Sequence, residues 1–183
     1  MVEAKHRYEV LLSGSGGQGV ILAGIIIAEA AIAQSLKVVQ TASYGPESRG
    51  GATKSEVILS DFDIDYPAVT NPDFIIALTQ EAADKHAHEV RPEGIVLLDA
   101  TWVEHLPQNL AAQVVAIPLT EEASEHFGTP LVTNVIALGF FAERNPLVSA
   151  DQLLKALVAR VPRHYRELNE QAFAHGRELA GRT

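Results

Sequence analysis

A cluster of glycines near the amino terminus has the spacing of a phosphate-binding loop. Gly14, Gly16 and Gly19 match the pattern Gly-x-Gly-x-x-Gly, with Gly17 and Gln18 between them. A short apolar run precedes the cluster and a long one follows it, the strand, loop and helix order of dinucleotide-binding folds. The glycines permit a tight turn, and the start of the helix offers unpaired N–H groups to an anion. The loop indicates either a phosphate site or close packing of a buried helix on a sheet.

The residue that would complete a nicotinamide dinucleotide site is absent. Such sites place an aspartate or glutamate at the end of the second strand, about 20 residues after the glycines, where it binds the ribose hydroxyls. Gln40 and Thr41 occupy this position, and Ala42 and Ser43 follow them. The sequence therefore favours another kind of phosphate site, or helix packing alone, over the binding of NAD.

Residues 43–52 combine an aromatic ring, an acid, an arginine and three glycines in one polar stretch. Arginine is a permanent cation whose planar fork suits carboxylate or phosphate. We predict that this stretch faces a ligand or a partner through Ser43, Tyr44, Gly45, Glu47, Arg49 and Gly50. A purely structural ion pair between Glu47 and Arg49 is the alternative. Farther along the chain, Asn134 is either a buried polar anchor or a further ligand contact.

The pattern of apolar runs predicts a single α/β domain over residues 1–183. Residues 8–12, a helix over about 18–34 and residues 37–41 form a β-α-β unit, which a loop over 42–54 follows. Further strands are expected at 55–60, 73–78, 94–99 and 113–118, with a surface helix over 80–90. From there the pattern is helical, over 121–127, 131–144, 150–161 and 165–180. The expected fold is a three-layer, mostly parallel Rossmann-like sheet with helices on both faces and a helical C-terminal extension from about residue 150.

These elements place the two polar stretches at one edge of the sheet. In an open α/β sheet, ligands bind outside the carboxyl ends of the strands. The glycine loop, residues 14–19, follows the first strand, and residues 43–52 follow the second. We therefore expect both stretches to border the same site.

Composition excludes several classes of function. The chain of 183 residues has 14 Lys and Arg against 23 Asp and Glu, a net charge of −9 that argues against a general nucleic-acid binder. It has no cysteine, so it holds neither a disulfide nor a thiolate-bound iron–sulfur cluster. The first ten residues are charged and unlike a signal peptide. The longest apolar stretch, residues 19–33, contains Glu29 and is short for a membrane span. We expect a cytoplasmic protein.

Neither a catalytic residue nor a metal site is predicted. His86 and His88 are two positions apart and so face different sides of a helix, and we interpret them, like His126, as solvated or surface residues. No serine lies in a Gly-x-Ser-x-Gly elbow with a placed histidine and acid. The alternating aspartates of residues 61–65 lack the glycine and the final glutamate of a calcium loop. They are interpreted as a charged turn.

Five motifs in order carry a family resemblance. They are Gly-Ser-Gly-Gly-Gln-Gly-Val-Ile-Leu-Ala-Gly (14–24), Ser-Tyr-Gly-Pro-Glu-Ser-Arg-Gly-Gly-Ala (43–52), Ser-Glu-Val-Ile-Leu-Ser-Asp (55–61), Asp-Tyr-Pro (65–67), and Asn134 with Ala-Leu-Gly (137–139). Together they resemble the gamma subunit, or gamma domain, of the 2-oxoacid:ferredoxin oxidoreductases. The resemblance covers most of residues 7–145 and is strongest to the stand-alone gamma subunit of 2-oxoglutarate or general 2-oxoacid enzymes.

The resemblance implies a chain that is inactive alone and part of an enzyme when assembled. It implies a hetero-oligomer with thiamine-diphosphate-binding alpha and beta subunits and with a ferredoxin-like subunit or external ferredoxin. That enzyme decarboxylates a 2-oxoacid, passes electrons through 4Fe-4S clusters to ferredoxin and releases an acyl-CoA. Thiamine diphosphate and the clusters are expected on the partners, in line with the lack of cysteine. CoA is expected at the interface, bordered by residues 14–19 and 43–52, with Arg49 receiving phosphate.

Three alternatives stay open at this point. The related indolepyruvate:ferredoxin oxidoreductases carry a similar domain, and the substrate depends on other subunits. A free-standing nucleotide-binding α/β protein, such as an NAD-dependent reductase, would explain the glycine loop but not the missing acid. A pure scaffold for the thiamine subunits would leave the polar character of residues 43–52 unexplained.

Overall fold

The computed structural model describes residues 7–45 and 52–183. The six strands are β1 (Arg7–Ser15), β2 (Lys37–Tyr44), β3 (Ala52–Ser60), β4 (Phe74–Ala77), β5 (Ile95–Asp99) and β6 (Gln113–Ile117). The α-helices are α1 (Val20–Ala33), α2 (Gln80–His86), α3 (Leu119–Phe127), α4 (Thr133–Arg144), α5 (Ala150–Arg160) and α6 (Arg166–Arg182). Short 3₁₀ turns lie at Ala87–Glu89, Pro130–Val132 and Arg163–Tyr165.

One six-stranded sheet has the order β2-β3-β1-β4-β5-β6. Strands β1, β4, β5 and β6 are parallel, whereas β3 is antiparallel to both β1 and β2. The predicted β-α-β unit is therefore right about direction, since β1 and β2 run the same way, but wrong about neighbours. β3 lies between them, because β2 and β3 form a hairpin that pairs with β1 through its second strand.

The loop predicted over residues 42–54 is much shorter than expected. β2 continues to Tyr44 and β3 begins at Ala52. The prediction failed because the side chains at the end of β2 are polar and exposed. Without an apolar face, a strand loses the alternation by which it is recognised in a sequence.

Helices cover both faces of the sheet, which confirms the three-layer α/β prediction. On one face, Leu12, Ile76 and Leu97 join a large core with α1, α4, α5 and α6. On the other face, alternate strand residues such as Leu11 and Ile75 pack with alanines of α2. Side chains of successive strand residues point to opposite faces, so continuous apolar strands such as β4 are buried on both. No helix within 7–45 or 52–183 is long and apolar enough to cross a bilayer.

The C-terminal helix α6 is packed against α4 at backbone distance. A Cβ atom on Gly139 of α4 would lie 2.1 Å from the carbonyl oxygen of Phe173, and one on Gly176 of α6 would lie 2.0 Å from that of Ile136. Both distances are impossible for a real side chain, so the crossing requires glycine at both positions. The predicted C-terminal extension is therefore an integral part of the larger core.

A buried carboxylate, Glu9, ties the segment before β4 to the amino end of β1. Its Oε2 accepts hydrogen bonds from the backbone N–H groups of Thr70, at 2.7 Å, and Asn71, at 2.9 Å. Its Oε1 accepts one from Arg7, also at 2.7 Å. Burial alone would raise the pKa of Glu9, but the donors from Asn71, Thr70 and Arg7 together outweigh it and hold the pKa below its ordinary value.

We expect Glu9→Gln to destabilise the protein by about 1–3 kcal/mol at neutral pH, because a charged acceptor is replaced by an amide that also presents donors to N–H groups. Since the folded-state pKa of Glu9 lies below the ordinary value of 4.5, its stabilisation is complete above that pH and fades as the pH falls through the folded-state pKa. Urea unfolding from pH 7 to pH 3 measures this. The exposed Glu170→Gln is the control, and a gap between wild type and Glu9→Gln that stays constant at acid pH would contradict the account.

Candidate functional site

The two polar stretches predicted to border one site do meet at the carboxyl edge of the sheet. In the register of β1 and β3, Gly14 lies opposite Thr53 and Ser15 opposite Ala52. In the register of β2 and β3, Tyr44 also lies opposite Thr53. The end of the hairpin is therefore adjacent to the start of the glycine loop.

The Gln18 side chain lies inside the glycine loop and forms hydrogen bonds there. Its Oε1 accepts a hydrogen bond from the backbone N–H of Ser15 at 2.7 Å, and its Nε2 donates to the carbonyl oxygen of Leu78 at 3.3 Å. A Cβ atom on Gly14 would lie 2.5 Å from the Gln18 Oε1. Glycine at position 14 therefore makes room for the Gln18 side chain, which joins the loop to the residue that follows β4.

Asn134 holds the start of α1. Its Nδ2 donates to the carbonyl oxygen of Gly19 at 3.2 Å, and a Cβ atom on Gly19 would lie 2.4 Å from that nitrogen. Gly19 also has a left-handed backbone, with φ of 73°. The buried polar anchor considered for Asn134 is thus seen in the structure, and its role as a ligand contact stays a prediction.

The exposed part of the glycine loop is Gly16 and Gly17. Helix α1 begins just beyond, at Val20, with no side-chain cap and no acidic residue in its first turn. Gly14, Gln18 and Gly19 have packing roles that explain the residue types without a ligand. Phosphate binding by the loop therefore stays a prediction that depends on Gly16, Gly17 and the first N–H groups of α1.

A cavity of about 380 Å³ opens between the end of the hairpin and α2. It is lined by Ser13, Ser43, Tyr44, Gly45, Ala52, Thr53, Lys54, Glu81, Lys85 and His86. Three of the predicted contacts, Ser43, Tyr44 and Gly45, are among these residues. The ammonium group of Lys54 lies 3.0 Å from the carboxylate of Glu56, so its charge is already paired. The exposed Lys85 and the hydroxyl groups of the lining are the groups that suit an anion, against the carboxylate of Glu81.

The helix α2 contributes lining residues that the sequence did not suggest. Lys85 and Glu81 are exposed, whereas His86 is buried and its Nδ1 lies 2.9 Å from Oε1 of Glu89. The interpretation of His86 as a solvated residue was therefore wrong, because the helix is turned so that this ring packs inward. Lys54 could have been found from the sequence had the hairpin been recognised, since it lies opposite Ser43.

The residues of the 43–52 stretch that the structure describes are those at its two ends. Gly45 donates its backbone N–H to the carbonyl oxygen of Ala52 at 2.6 Å, and the Tyr44 side chain is 75% exposed. Glu47, Arg49 and Gly50 lie outside the described residues. Their contacts, including an ion pair between the first two, stay predictions.

The position where a dinucleotide-binding acid would lie is used for strand packing. Gln40 Nε2 donates to the Ser55 Oγ at 3.0 Å and to the carbonyl oxygen of Thr41 at 3.1 Å. Because β3 separates β2 from β1, Gln40 is also one strand farther from the glycine loop than such an acid would be, roughly 4.8 Å more. Both facts disfavour a nicotinamide dinucleotide site.

Asp99, at the carboxyl end of β5, is a buried carboxylate that sequence reasoning missed. Its Oδ1 accepts from the backbone N–H groups of Thr101 at 3.1 Å and Thr120 at 3.2 Å, and its Oδ2 accepts from the Thr120 hydroxyl at 2.5 Å. These bonds fix the first turn of α3 to the sheet. The position of Asp99 at a strand end was the available signal, but Thr120, which supplies two of the three hydrogen bonds, is 21 residues farther along the chain.

Comparison with known proteins gives a consistent result over nearly the whole chain. The profile of the pyruvate ferredoxin/flavodoxin oxidoreductase family matches residues 9–179. The 2-oxoglutarate synthase subunit KorC of Methanocaldococcus jannaschii is 42% identical over 179 residues, which are 96% of this chain and 95% of that protein.

Solved structures agree with the fold. The gamma subunit of keto/oxoacid ferredoxin oxidoreductase from Geobacter sulfurreducens is 43% identical, with a TM-score of 0.88 over 97% of this chain and 98% of that one. The 2-oxoglutarate:ferredoxin oxidoreductase from Magnetococcus marinus, solved with 2-oxoglutarate, coenzyme A and succinyl-CoA, also has a TM-score of 0.88. It is 23% identical and matches 98% of this chain but 32% of that one, so it supports the fold alone.

We expect Gly19→Ala to destabilise the protein more than Gly17→Ala. Both put a side chain on a left-handed backbone, at about 1–2 kcal/mol. A Cβ on Gly17 meets nothing within 4 Å, whereas one on Gly19 meets the Asn134 amide, which adds roughly 1–3 kcal/mol. Chemical unfolding measures both variants.

A double-mutant cycle with Asn134→Ala isolates this contact. Since removing the amide makes room for the new methyl group, the double variant should lose at least about 1 kcal/mol less than the sum of the single variants. Additive losses would mean that the Asn134 amide does not limit the space at position 19.

Proposed function

The chain belongs to the pyruvate ferredoxin/flavodoxin oxidoreductase family, and we propose on this premise that it is the gamma subunit of a multi-subunit 2-oxoacid:ferredoxin oxidoreductase that acts on 2-oxoglutarate. The observation that carries the proposal is the match to the 2-oxoglutarate synthase subunit over 96% of this chain and 95% of that subunit. The match extends over nearly the full length of that subunit, so it is not confined to a shared motif.

The proposed reaction divides between this chain and its partners. A 2-oxoacid loses CO₂, two electrons pass to two oxidised ferredoxins, and the acyl group is transferred to the thiol of CoA. Iron–sulfur clusters need cysteine thiolates, and this chain has none. The clusters, and with them the electron path, therefore belong to other subunits, and we propose the same for thiamine diphosphate.

The residues of this chain are suited to bind one part of the CoA molecule. Its phosphates are anions, and the cavity at the carboxyl edge is lined by the exposed Lys85 and by several hydroxyl groups. The cavity of about 380 Å³ is at the small end of the roughly 300–1,000 Å³ range of ligand pockets. We propose that this edge holds the phosphate-bearing part of CoA and that partner subunits complete the site.

Each group of the edge has a distinct role in this proposal. Lys85 and Arg49 supply positive charge, and the hydroxyls of Ser13 and Ser43 supply hydrogen bonds. Gly16 and Gly17 let the phosphates approach the backbone N–H groups at the start of α1. None of these groups breaks or makes a bond of the substrate, so the chain binds and orients CoA while the chemistry belongs to its partners.

Exposed apolar side chains support assembly with partner subunits. Aromatic residues are enriched in protein–protein interfaces. Several aromatic side chains are more than half exposed here, namely Tyr44, Phe62, Tyr66, Trp102 and Tyr165, as are Ile32 and Leu131. Tyr44 also lines the cavity, so the proposed CoA edge and a partner contact would adjoin.

The remaining alternatives are weaker. A nicotinamide-dependent reductase needs an acid where Gln40 packs on Ser55. An indolepyruvate enzyme would use the same gamma-type domain, but the full-length relatives cited above are 2-oxoglutarate and keto/oxoacid subunits. A pure scaffold would not require the Lys85 side chain and the hydroxyl groups that line the cavity.

We expect Arg49→Ala and Lys85→Ala to raise the KM for CoA in the assembled enzyme by about 10- to 100-fold, because each removes a charge-assisted hydrogen bond of roughly 1.5–3 kcal/mol. The KM for 2-oxoglutarate should stay unchanged. Steady-state ferredoxin reduction by the reconstituted complex measures both constants.

Lys155→Ala, which changes an exposed lysine of α5 far along the chain, is the matched control. If the KM for CoA is unchanged in both edge variants, the edge does not bind CoA. The proposal that this chain is a gamma subunit would not be affected by that result.

A further inference from the structure

Three side chains that bind metals in other proteins converge where α6 crosses α3. Glu122 and His126 are one helical turn apart on α3 and so share a face, and His175 projects from α6. One donor atom of each residue lies within 4.8 Å of the other two. We call these three residues the α3–α6 cluster. None of them lines the cavity at the carboxyl edge.

The donor atoms are already nearly spaced for coordination. Glu122 Oε2 lies 2.7 Å from His175 Nε2 and 3.4 Å from His126 Nδ1. Donors about 2.0–2.1 Å from a tetrahedral zinc ion are roughly 3.3–3.4 Å apart. Small side-chain rotations would therefore place all three around one ion. His126 Nδ1 also lies 3.1 Å from the Glu122 carbonyl oxygen, a contact that the ring would release.

The surroundings fix two of the ligands and leave the third accessible. The side chains of His175 and Glu122 are 12% and 23% exposed, and that of His126 is 48% exposed. The rings of His126 and His175 are 4.4 Å apart, and the Phe127 ring lies 5.8 Å from that of His175. An ion could enter on the His126 side and bind to Glu122 and His175, whose side chains are already held in place by packing.

We propose that the α3–α6 cluster binds a divalent transition-metal ion, with zinc as the best match. Two imidazoles and one carboxylate are a donor set that zinc uses with a fourth position left to water. Magnesium and calcium prefer all-oxygen sites, and soft thiolate-seeking metals find no cysteine here. The site is independent of the proposed function, since it needs no partner subunit.

Such an ion would link the C-terminal helix α6, through α3, to the sheet. The first turn of α3 is bonded to Asp99 at the end of β5 through Thr120, and Glu122 lies two residues farther on. α6 in turn packs on α4. Zinc between α3 and α6 would connect these two parts of the molecule and stabilise the folded state by an amount that grows with the logarithm of the free zinc concentration once this exceeds the dissociation constant.

The test uses the full chain, purified without a polyhistidine tag, stripped with EDTA and then given zinc alone. We expect one zinc ion per chain after desalting, measured by elemental mass spectrometry, and a rise in Tm with zinc. Loss of one ligand should weaken binding by about tenfold or more, because even outer-sphere changes cost about 10–100-fold.

His126→Gln is the deciding variant. It leaves the hydrogen bond between Glu122 and His175 in place, so a loss of zinc cannot be ascribed to misfolding. His175→Asn should lose zinc as well, and His164→Asn, which changes an exposed histidine outside the cluster, should keep it. A wild-type chain that retains no zinc, or a His126→Gln variant that keeps one ion per chain with unchanged affinity, would overturn the proposal.

Discussion

Every residue of β1, from Arg7 to Ser15, lies opposite a residue of the antiparallel strand β3. This pairing determines where the rest of the molecule can lie. It turns the carboxyl end of β1 toward the start of β3, so the glycine loop and the end of the hairpin become neighbours. It also leaves β2 at the edge, where its polar end faces the cavity beside α2. A parallel β2 next to β1 would have produced an ordinary dinucleotide fold with a different edge.

The buried strands and helices of this fold were predicted well from the sequence. Continuous apolar runs bounded by turn residues, such as those of β4 and β5, predicted strands covered on both faces, and the longer apolar run after Gly19 predicted a buried helix. Prediction from the sequence failed at the end of β2, where the strand has no apolar face. It also failed for residues whose role depends on a contact with a distant part of the chain. His86 was interpreted as solvated because its inward orientation depends on packing of α2 on the sheet. His175 gave no sign of meeting Glu122, 53 residues earlier, because the crossing of α6 over α3 is a property of the folded core.

The glycine loop shows how one motif combines packing with a ligand-binding capacity. Gly14 leaves room for the end of the Gln18 side chain, and Gly19, with its left-handed backbone, leaves room for the Asn134 amide that bonds to it at the start of α1. Gly16 and Gly17 are left exposed by the same arrangement. The loop is thus held rigidly from inside while its outer surface stays accessible at the edge where we place CoA. In the proposal above, this chain, which has no cysteine, contributes a CoA-binding edge and a partner surface to its enzyme.

Assembly of this chain into a larger oxidoreductase can be tested by gentle anaerobic isolation of the tagged chain from its source cells. The readouts are subunit masses, thiamine diphosphate content and visible absorbance. We expect larger partner subunits in fixed stoichiometry, bound thiamine diphosphate and the brown absorbance of iron–sulfur clusters. A colourless chain isolated alone or as a homodimer, with no thiamine diphosphate, would contradict this expectation.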